Sequence, residues 1–312
     1  MLYIGALRIV RMWRWTPDPT RSGRSPKVAI AMRGHYHSRV GMPKKSSKVL
    51  FVTGAASGIG AAIARRAVER GDRVVLADIN ATGAKAVAGG LGDAALAVQL
   101  DITDPSAWRN ALDAAWARFG RVDVLVNNAA VVHVGRAENV ALSQHQQTLN
   151  VNFMGPLTGM LAILPRFEAE GRGQFVTVCS MTAFLPFPGL ASYAAAKHAL
   201  RAFHHGFAIE QRNSPFAFSI IHPTSTETPM LEQEAASDEA PLCFSSTSVT
   251  ADHVAGVVLQ AMDRKTVEVF MPPDRAKTVR LLGTNPRRLK AMVEQGEAIG
   301  AERLKARRAA AA

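Results

Sequence analysis

Cysteine is nearly absent: Cys179 and Cys243 are the only two in 312 residues. That excludes a disulfide framework and a four-cysteine metal site, and no metal site of any other kind is expected. Both thiols sit among apolar or small neighbours, so they read as reduced structural cysteines of a cytoplasmic protein. No apolar run approaches the roughly 20 residues that a membrane span needs. Acidic residues are scarce at both ends. Residues 1–48 hold 11 Lys/Arg against Asp18 alone, and residues 275–312 hold 10 against Glu294, Glu297 and Glu302. Residues 49–274 carry 16 basic and 21 acidic residues, so the net charge of +12 belongs to the termini. A nucleic-acid surface would spread along a folded face, and none is expected here.

What remains is the composition of an ordinary globular protein, 48% hydrophobic and 20% charged. Residues 1–41 are Arg-rich and without periodicity, and they read as an extension outside the fold. They suit either an organellar targeting segment or sequence upstream of a true start at Met42. From residue 48, short β-branched runs alternate with helical stretches. Strands are expected at 49–53, 73–78, 95–100, 122–126, 174–180, 216–222 and 267–271. Helices are expected at 58–70, from Asp104-Pro105 to Gly120, from about Ser143 with a Ser143–Gln146 capping box, and at 193–211. That alternation predicts an α/β fold over 42–272: a single doubly wound Rossmann domain, its mostly parallel seven-stranded sheet covered by helices on both faces. Residues 223–249 form a long irregular segment, of the kind that is functional or mobile. Residues 273–312 read as a basic helical extension broken at Asn285-Pro286.

The segment Thr53-Gly54-Ala55-Ala56-Ser57-Gly58-Ile59-Gly60 joins the first strand to the first helix. Glycines there permit tight turning and close approach to a pyrophosphate, which the helix N-terminus favours. Asp78 ends the second strand, 18 residues past Gly60, where an acid binds ribose hydroxyls. Its charge would repel the 2′-phosphate of NADP, and Ser57 and Ile79 supply no compensating cation, so NAD is expected over NADP. Further on, Tyr193 and Lys197 stand at i and i+4, with Ser180 thirteen residues before Tyr193. On a helix the two share a face; a lysine cation there favours the phenolate, and Ser180 adds a hydroxyl to the same reacting oxygen.

The glycine loop, Asn127-Asn128-Ala129-Ala130, Asn152 and Ser180/Tyr193/Lys197, in that order, resemble the short-chain dehydrogenase/reductase family over about residues 48–271. The resemblance implies an NAD-dependent oxidoreductase that moves a hydride between nicotinamide and a secondary alcohol or ketone. It implies Tyr193 as general acid/base, Lys197 lowering its pKa, Ser180 polarising the carbonyl, and Asn152 holding a water. It places cofactor contacts at Thr53, Gly54, Ser57, Gly58, Ile59, Gly60, Asp78, Asp101, Ile102, Asn128, Ala129, Pro223, Thr226 and Thr228, besides Tyr193 and Lys197. Ala130 and Thr224 depart from the family's glycines, the second beside the nicotinamide. Oligomers are usual in the family, so a homodimer or homotetramer built on the helices at 143–164 and 193–211 is expected. Phe184, Leu185, Phe187, Leu190, Met230 and Leu231 would line a pocket for an uncharged or hydrophobic alcohol or ketone, with no Arg or Lys to grip an anion. His133, after the fourth strand, reads as a surface-loop histidine, with a place facing the pocket as the alternative. Dehydratase or epimerase chemistry, or a non-catalytic dinucleotide sensor or scaffold, are the alternatives.

Overall fold

The structure is a computed structural model that describes residues 47–311; the expectations for residues 1–41 and for a start at Met42 lie outside the described residues. In chain order the elements are β1 (Val49–Thr53), α1 (Gly58–Glu69), β2 (Arg73–Asp78), α2 (Ala81–Gly89), β3 (Ala95–Gln99), α3 (Pro105–Phe119) and β4 (Val124–Asn127). Then come α4 (Leu142–Leu149), α5 (Gly155–Glu170), β5 (Gln174–Val178), α6 (Ala191–Glu210) and β6 (Ala217–Pro223). The chain continues through β7 (Thr226–Glu227), α7 (Pro229–Ala235), β8 (Val249–Thr250), α8 (Ala251–Arg264), β9 (Glu268–Met271), α9 (Arg275–Gly283) and α10 (Pro286–Ala311). Seven strands form one sheet in the order β3-β2-β1-β4-β5-β6-β9, every pair parallel.

Burial on both faces explains why β1 is apolar at four consecutive positions rather than alternating. Leu50 and Val52 pack on one side with Ile63 of α1 and Val254 and Val258 of α8. Val49 and Phe51 pack on the other with Trp108 of α3 and Met160 and Ile163 of α5. Asp104 caps α3 by accepting from Ser106 N at 2.7 Å, and Gly120 ends it in the left-handed region (φ 74).

Two local expectations are corrected. The helix expected from about Ser143 begins at Leu142, but its capping pair is not Ser143–Gln146: the Gln144 side chain accepts from Ala141 N at 3.3 Å. It is also not continuous, because a π-turn at Asn150–Met154 separates α4 from α5. Residues 223–249 are not one irregular loop. Thr228 caps α7, Pro229 takes its first position, β7 pairs with β8, and Pro241–Phe244 form a 3-10 turn.

The C-terminal helices hold that lid. Leu304 of α10 packs with Leu231, Cys243 and Phe244. Arg307 binds both carboxylate oxygens of Glu227, at 3.0 and 2.8 Å, and also reaches Glu232. Gly296 and Gly300 let the α10 backbone approach the 3-10 turn, since a Cβ on Gly300 would run into the Pro241 carbonyl. Gly300→Val should therefore cost about 1–3 kcal/mol in urea unfolding, as overpacking does, and should expose the lid to limited proteolysis. An unchanged unfolding midpoint would show that α10 does not pack there.

Candidate active site

The strand order turns between β1 and β4, where successive crossovers leave in opposite directions and open a crevice at the strands' C-terminal ends. Thr53 and Asn128 stitch its floor. Thr53 Oγ1 donates to Val126 O at 3.3 Å and accepts from Asn128 N at 3.0 Å and Ala129 N at 3.1 Å. The Asn128 amide donates to Thr53 O at 2.9 Å and Gly54 O at 3.2 Å. Gly54 (φ 64) and Gly58 (φ 52) take a backbone region that side chains rarely adopt. A Cβ on Gly60 would lie 2.7 Å from Asn128 Nδ2, so that glycine sets the approach of α1 to the strand end.

A cleft of about 1040 Å³ runs along these ends. Of the expected cofactor residues, Gly54, Ser57, Gly58, Ile59, Asp78, Asp101, Ile102, Asn128, Ala129, Pro223, Thr226 and Thr228 line it, while Thr53 and Gly60 shape it from beneath. The Asp78 carboxylate accepts from Ala56 N and Asn80 N, each at 2.9 Å, which aims it across the glycine loop. Asp101 accepts from the Thr103 amide and hydroxyl at 2.9 and 2.7 Å. Thr224, where the family has glycine, donates its N–H to Met271 O at 2.9 Å, and Lys265 is the one non-glycine with positive φ among the described residues. The threonine is accommodated without backbone strain.

Ser180, Tyr193 and Lys197 all border the cleft. Ser180 Oγ accepts from Thr182 N at 3.1 Å, which leaves its hydrogen free to donate. Lys197 is 2% exposed; its ammonium lies 5.5 Å from the Tyr193 ring centroid and donates to Val178 O at 3.4 Å. Burial pushes the lysine down and the phenol well up, with the nearby Glu234 charge raising the phenol further and the Ser180 hydrogen bond opposing the rise. Desolvation is the largest influence on the phenol, and the ammonium donates to a carbonyl. The Asn152 amide is fully buried, accepting from Val131 N and donating to Val131 O, both at 2.8 Å, so it braces the loop after β4. It sits in the π-turn, which brings Asn150 and Val151 to the cleft wall.

At the substrate end, Leu185, Phe187, Leu190, Met230 and Leu231 line the cleft as expected. Phe184 does not. It is buried behind the wall, with its ring 4.9 Å from His222, 5.1 Å from Phe270 and 4.1 Å from the Arg201 guanidinium. His133 is a lining residue rather than a surface-loop histidine, its Nδ1 3.0 Å from Thr148 Oγ1. Beyond those residues, α9 brings Arg275 to the lining of the cleft together with Val279. Glu234 and Cys243 of the lid join them; the only signal for either was the unusual length of the segment after β6.

A bound dinucleotide fits these residues. A buried ammonium with a single carbonyl partner suits ribose hydroxyls, and Gly54, Ser57, Gly58 and Ile59 line the cleft at the start of α1, where a pyrophosphate would lie.

Burial raises the Glu234 carboxyl from 4.5 to about 7. A raised carboxyl favours the neutral form in the fold, so its stabilising contribution is complete below pH 4.5 and is lost as pH rises through about 7. Glu234→Gln should therefore gain stability over the parent between pH 5 and pH 8, on the order of 3 kcal/mol. Denaturant midpoints at the two pH values test this, and a difference independent of pH would contradict it.

Comparison with known proteins agrees with this geometry. The model of the short chain dehydrogenase family matches residues 48–239. A 3-alpha-(or 20-beta)-hydroxysteroid dehydrogenase of Mycobacterium tuberculosis is 37% identical over 185 residues, 59% of this chain and 71% of its own length. A 1-deoxy-11-beta-hydroxypentalenate dehydrogenase of Streptomyces avermitilis is 35% identical over 232 residues, 72% of this chain and 84% of its own length. The crystal structure of a 3-ketoacyl-(acyl-carrier-protein) reductase from Brucella melitensis, complexed with NADH, superposes with a TM-score of 0.66 at 30% identity, covering 73% of this chain and 96% of that one. With glycine loop, switch-point crevice and Ser180/Tyr193/Lys197 in one cleft, the chain belongs to the short-chain dehydrogenase family.

Proposed function

We propose that this protein is an NAD-dependent oxidoreductase that interconverts a secondary alcohol and a ketone. The observation that carries the reading is the convergence of Ser180, Tyr193 and Lys197 on the cleft that the glycine loop opens. When bound, the nicotinamide supplies the hydride acceptor or donor. Tyr193 exchanges the proton of the substrate oxygen, and Ser180 donates a hydrogen bond to that oxygen or to the phenolate. Lys197, buried beside the ring, holds positive charge where the phenolate forms, against the desolvation that raises Tyr193. Asn152 keeps the wall of the cleft in place through Val131. Proton exchange without net cofactor reduction, as in a dehydratase or epimerase, has no separate observation in its favour.

Asp78 supports NAD over NADP. Among the described residues, the Lys and Arg side chains lining the cleft are Lys197 and Arg275. Arg275 follows β9, five strands from β2 and so about 24 Å across the sheet, leaving the Asp78 end without a cation for a 2′-phosphate. Self-association through α4, α5 and α6 is supported by large apolar side chains left outward there: Leu142 is 72% exposed, Leu161 49% and Ile209 65%. A cytoplasmic setting agrees with two unpaired buried thiols and with no described helix long and apolar enough to cross a membrane.

Tyr193→Phe should lower kcat for alcohol oxidation by roughly 10²–10⁴-fold, the usual worth of a general acid/base. NADH affinity should stay within severalfold, and the parent should bind NADH more tightly than NADPH. Steady-state kinetics with fluorescence titration decide both points. Undiminished turnover would remove Tyr193 from the chemistry, and tighter NADPH binding would remove Asp78 from cofactor choice.

A further inference from the structure

The lid carries an acid that its neighbours do not neutralise. Arg307 binds Glu227 and Glu232, and Arg308 binds Asp238. Glu234, between them on α7, turns the other way: it is 8% exposed and lines the cleft, and no Lys, Arg or His among the described residues pairs with it. The one neighbour that favours its charged form is the Cys243 thiol, which lines the same cleft. That thiol is itself buried and is pushed up by desolvation and by the Glu234 charge, so it stays protonated and acts as a weak donor. The lining residues Phe187, Leu190, Leu231 and Leu242 carry no side-chain donor, so besides Cys243 the donor near Glu234 is the Tyr193 hydroxyl.

An enclosed carboxyl with one weak partner is costly, and a leucine would pack there at less cost. Placed against Tyr193, it also makes the catalytic phenol harder to ionise. A ligand donor removes the first cost and eases the second, since a hydrogen bond to the carboxyl draws its charge away from the phenol. The apolar wall disfavours an ammonium, which would have to give up its water, whereas a hydroxyl pairs with the carboxyl in either protonation state.

We propose that Glu234 is a substrate-binding residue for a second hydroxyl group, so that the preferred substrates are diols or hydroxy ketones on a hydrocarbon frame. One oxygen lies at Ser180 and Tyr193, the second hydroxyl at Glu234. The inference rests on the oxidoreductase reading above and names the substrate class of that site. Arg275, half-buried in the lining of the same cleft, stays available to larger substrates.

The test compares 1,2-, 1,3- and 1,4-cyclohexanediol with cyclohexanol, first in NAD reduction and then in the thermal stabilisation of the NADH-saturated protein. At least one diol should exceed cyclohexanol by about tenfold or more in kcat/KM, the discrimination expected of a buried polar group that would otherwise go unpaired. In Glu234→Leu that ratio should collapse towards one. In Glu234→Gln, whose amide still accepts, most of it should remain, which separates lost recognition from lost folding. Cyclohexanol used as well as every diol by the parent overturns the inference while leaving the oxidoreductase reading intact. So does a ratio that survives Glu234→Leu, or 2-aminocyclohexanol outperforming the diols. A diol that stabilises the parent but not Glu234→Leu, with no NADH formed from any alcohol, supports the Glu234 site and defeats the oxidoreductase reading.

Discussion

Everything in the cleft depends on how β1 and β4 are held apart at their ends and together along their length. The strands pair in register through Val52 and Val126, and then their crossovers part. Without a clasp the crevice would have no fixed floor. Thr53 and Asn128 provide it, with one hydroxyl and one amide satisfying five backbone groups between them. Each group left unpaired there would cost about 1–3 kcal/mol, so the clasp is rigid. The glycine loop and the wall after β4 both start from it, which fixes the cofactor end relative to Tyr193.

Against that rigid floor, the reacting groups are held in tension. Lys197 and Tyr193 are both driven by burial towards their neutral forms, while the proposed chemistry needs the pair charged. The ammonium has one carbonyl partner and the phenol one serine. A cation held beside the phenol favours its ionised form against that burial. The lid shows the same economy. Glu227, Glu232 and Asp238 are paired with arginines of α10, whereas Glu234 lines the cleft.

The sheet and the cofactor end were legible in the sequence because each depends on residues close together in the chain. A buried parallel strand shows as an apolar run, a phosphate loop as glycines between strand and helix, and a helical pair as Tyr193 and Lys197 four apart. The π-turn at Asn150–Met154 left no such mark, since nothing in the composition of that segment distinguishes it from the helix around it. Nothing local distinguishes Phe184 from Leu185 and Phe187, which line the cleft; the packing of its ring against His222 and Phe270, far along the chain, turns it away. Arg275 and Glu234 were invisible for the same reason. Their place in the cleft is set by how α9, α10 and the lid fold back over the sheet, and that is decided by contacts between distant segments.

The central claim is that a hydride leaves the carbinol carbon of a substrate held between Ser180 and Tyr193. It is tested most directly with an alcohol deuterated at that carbon, the reduced cofactor being weighed by mass spectrometry. One deuterium in each NADH formed is the predicted result. Label retained at the carbinol carbon of a converted product, with no reduced cofactor, would contradict it.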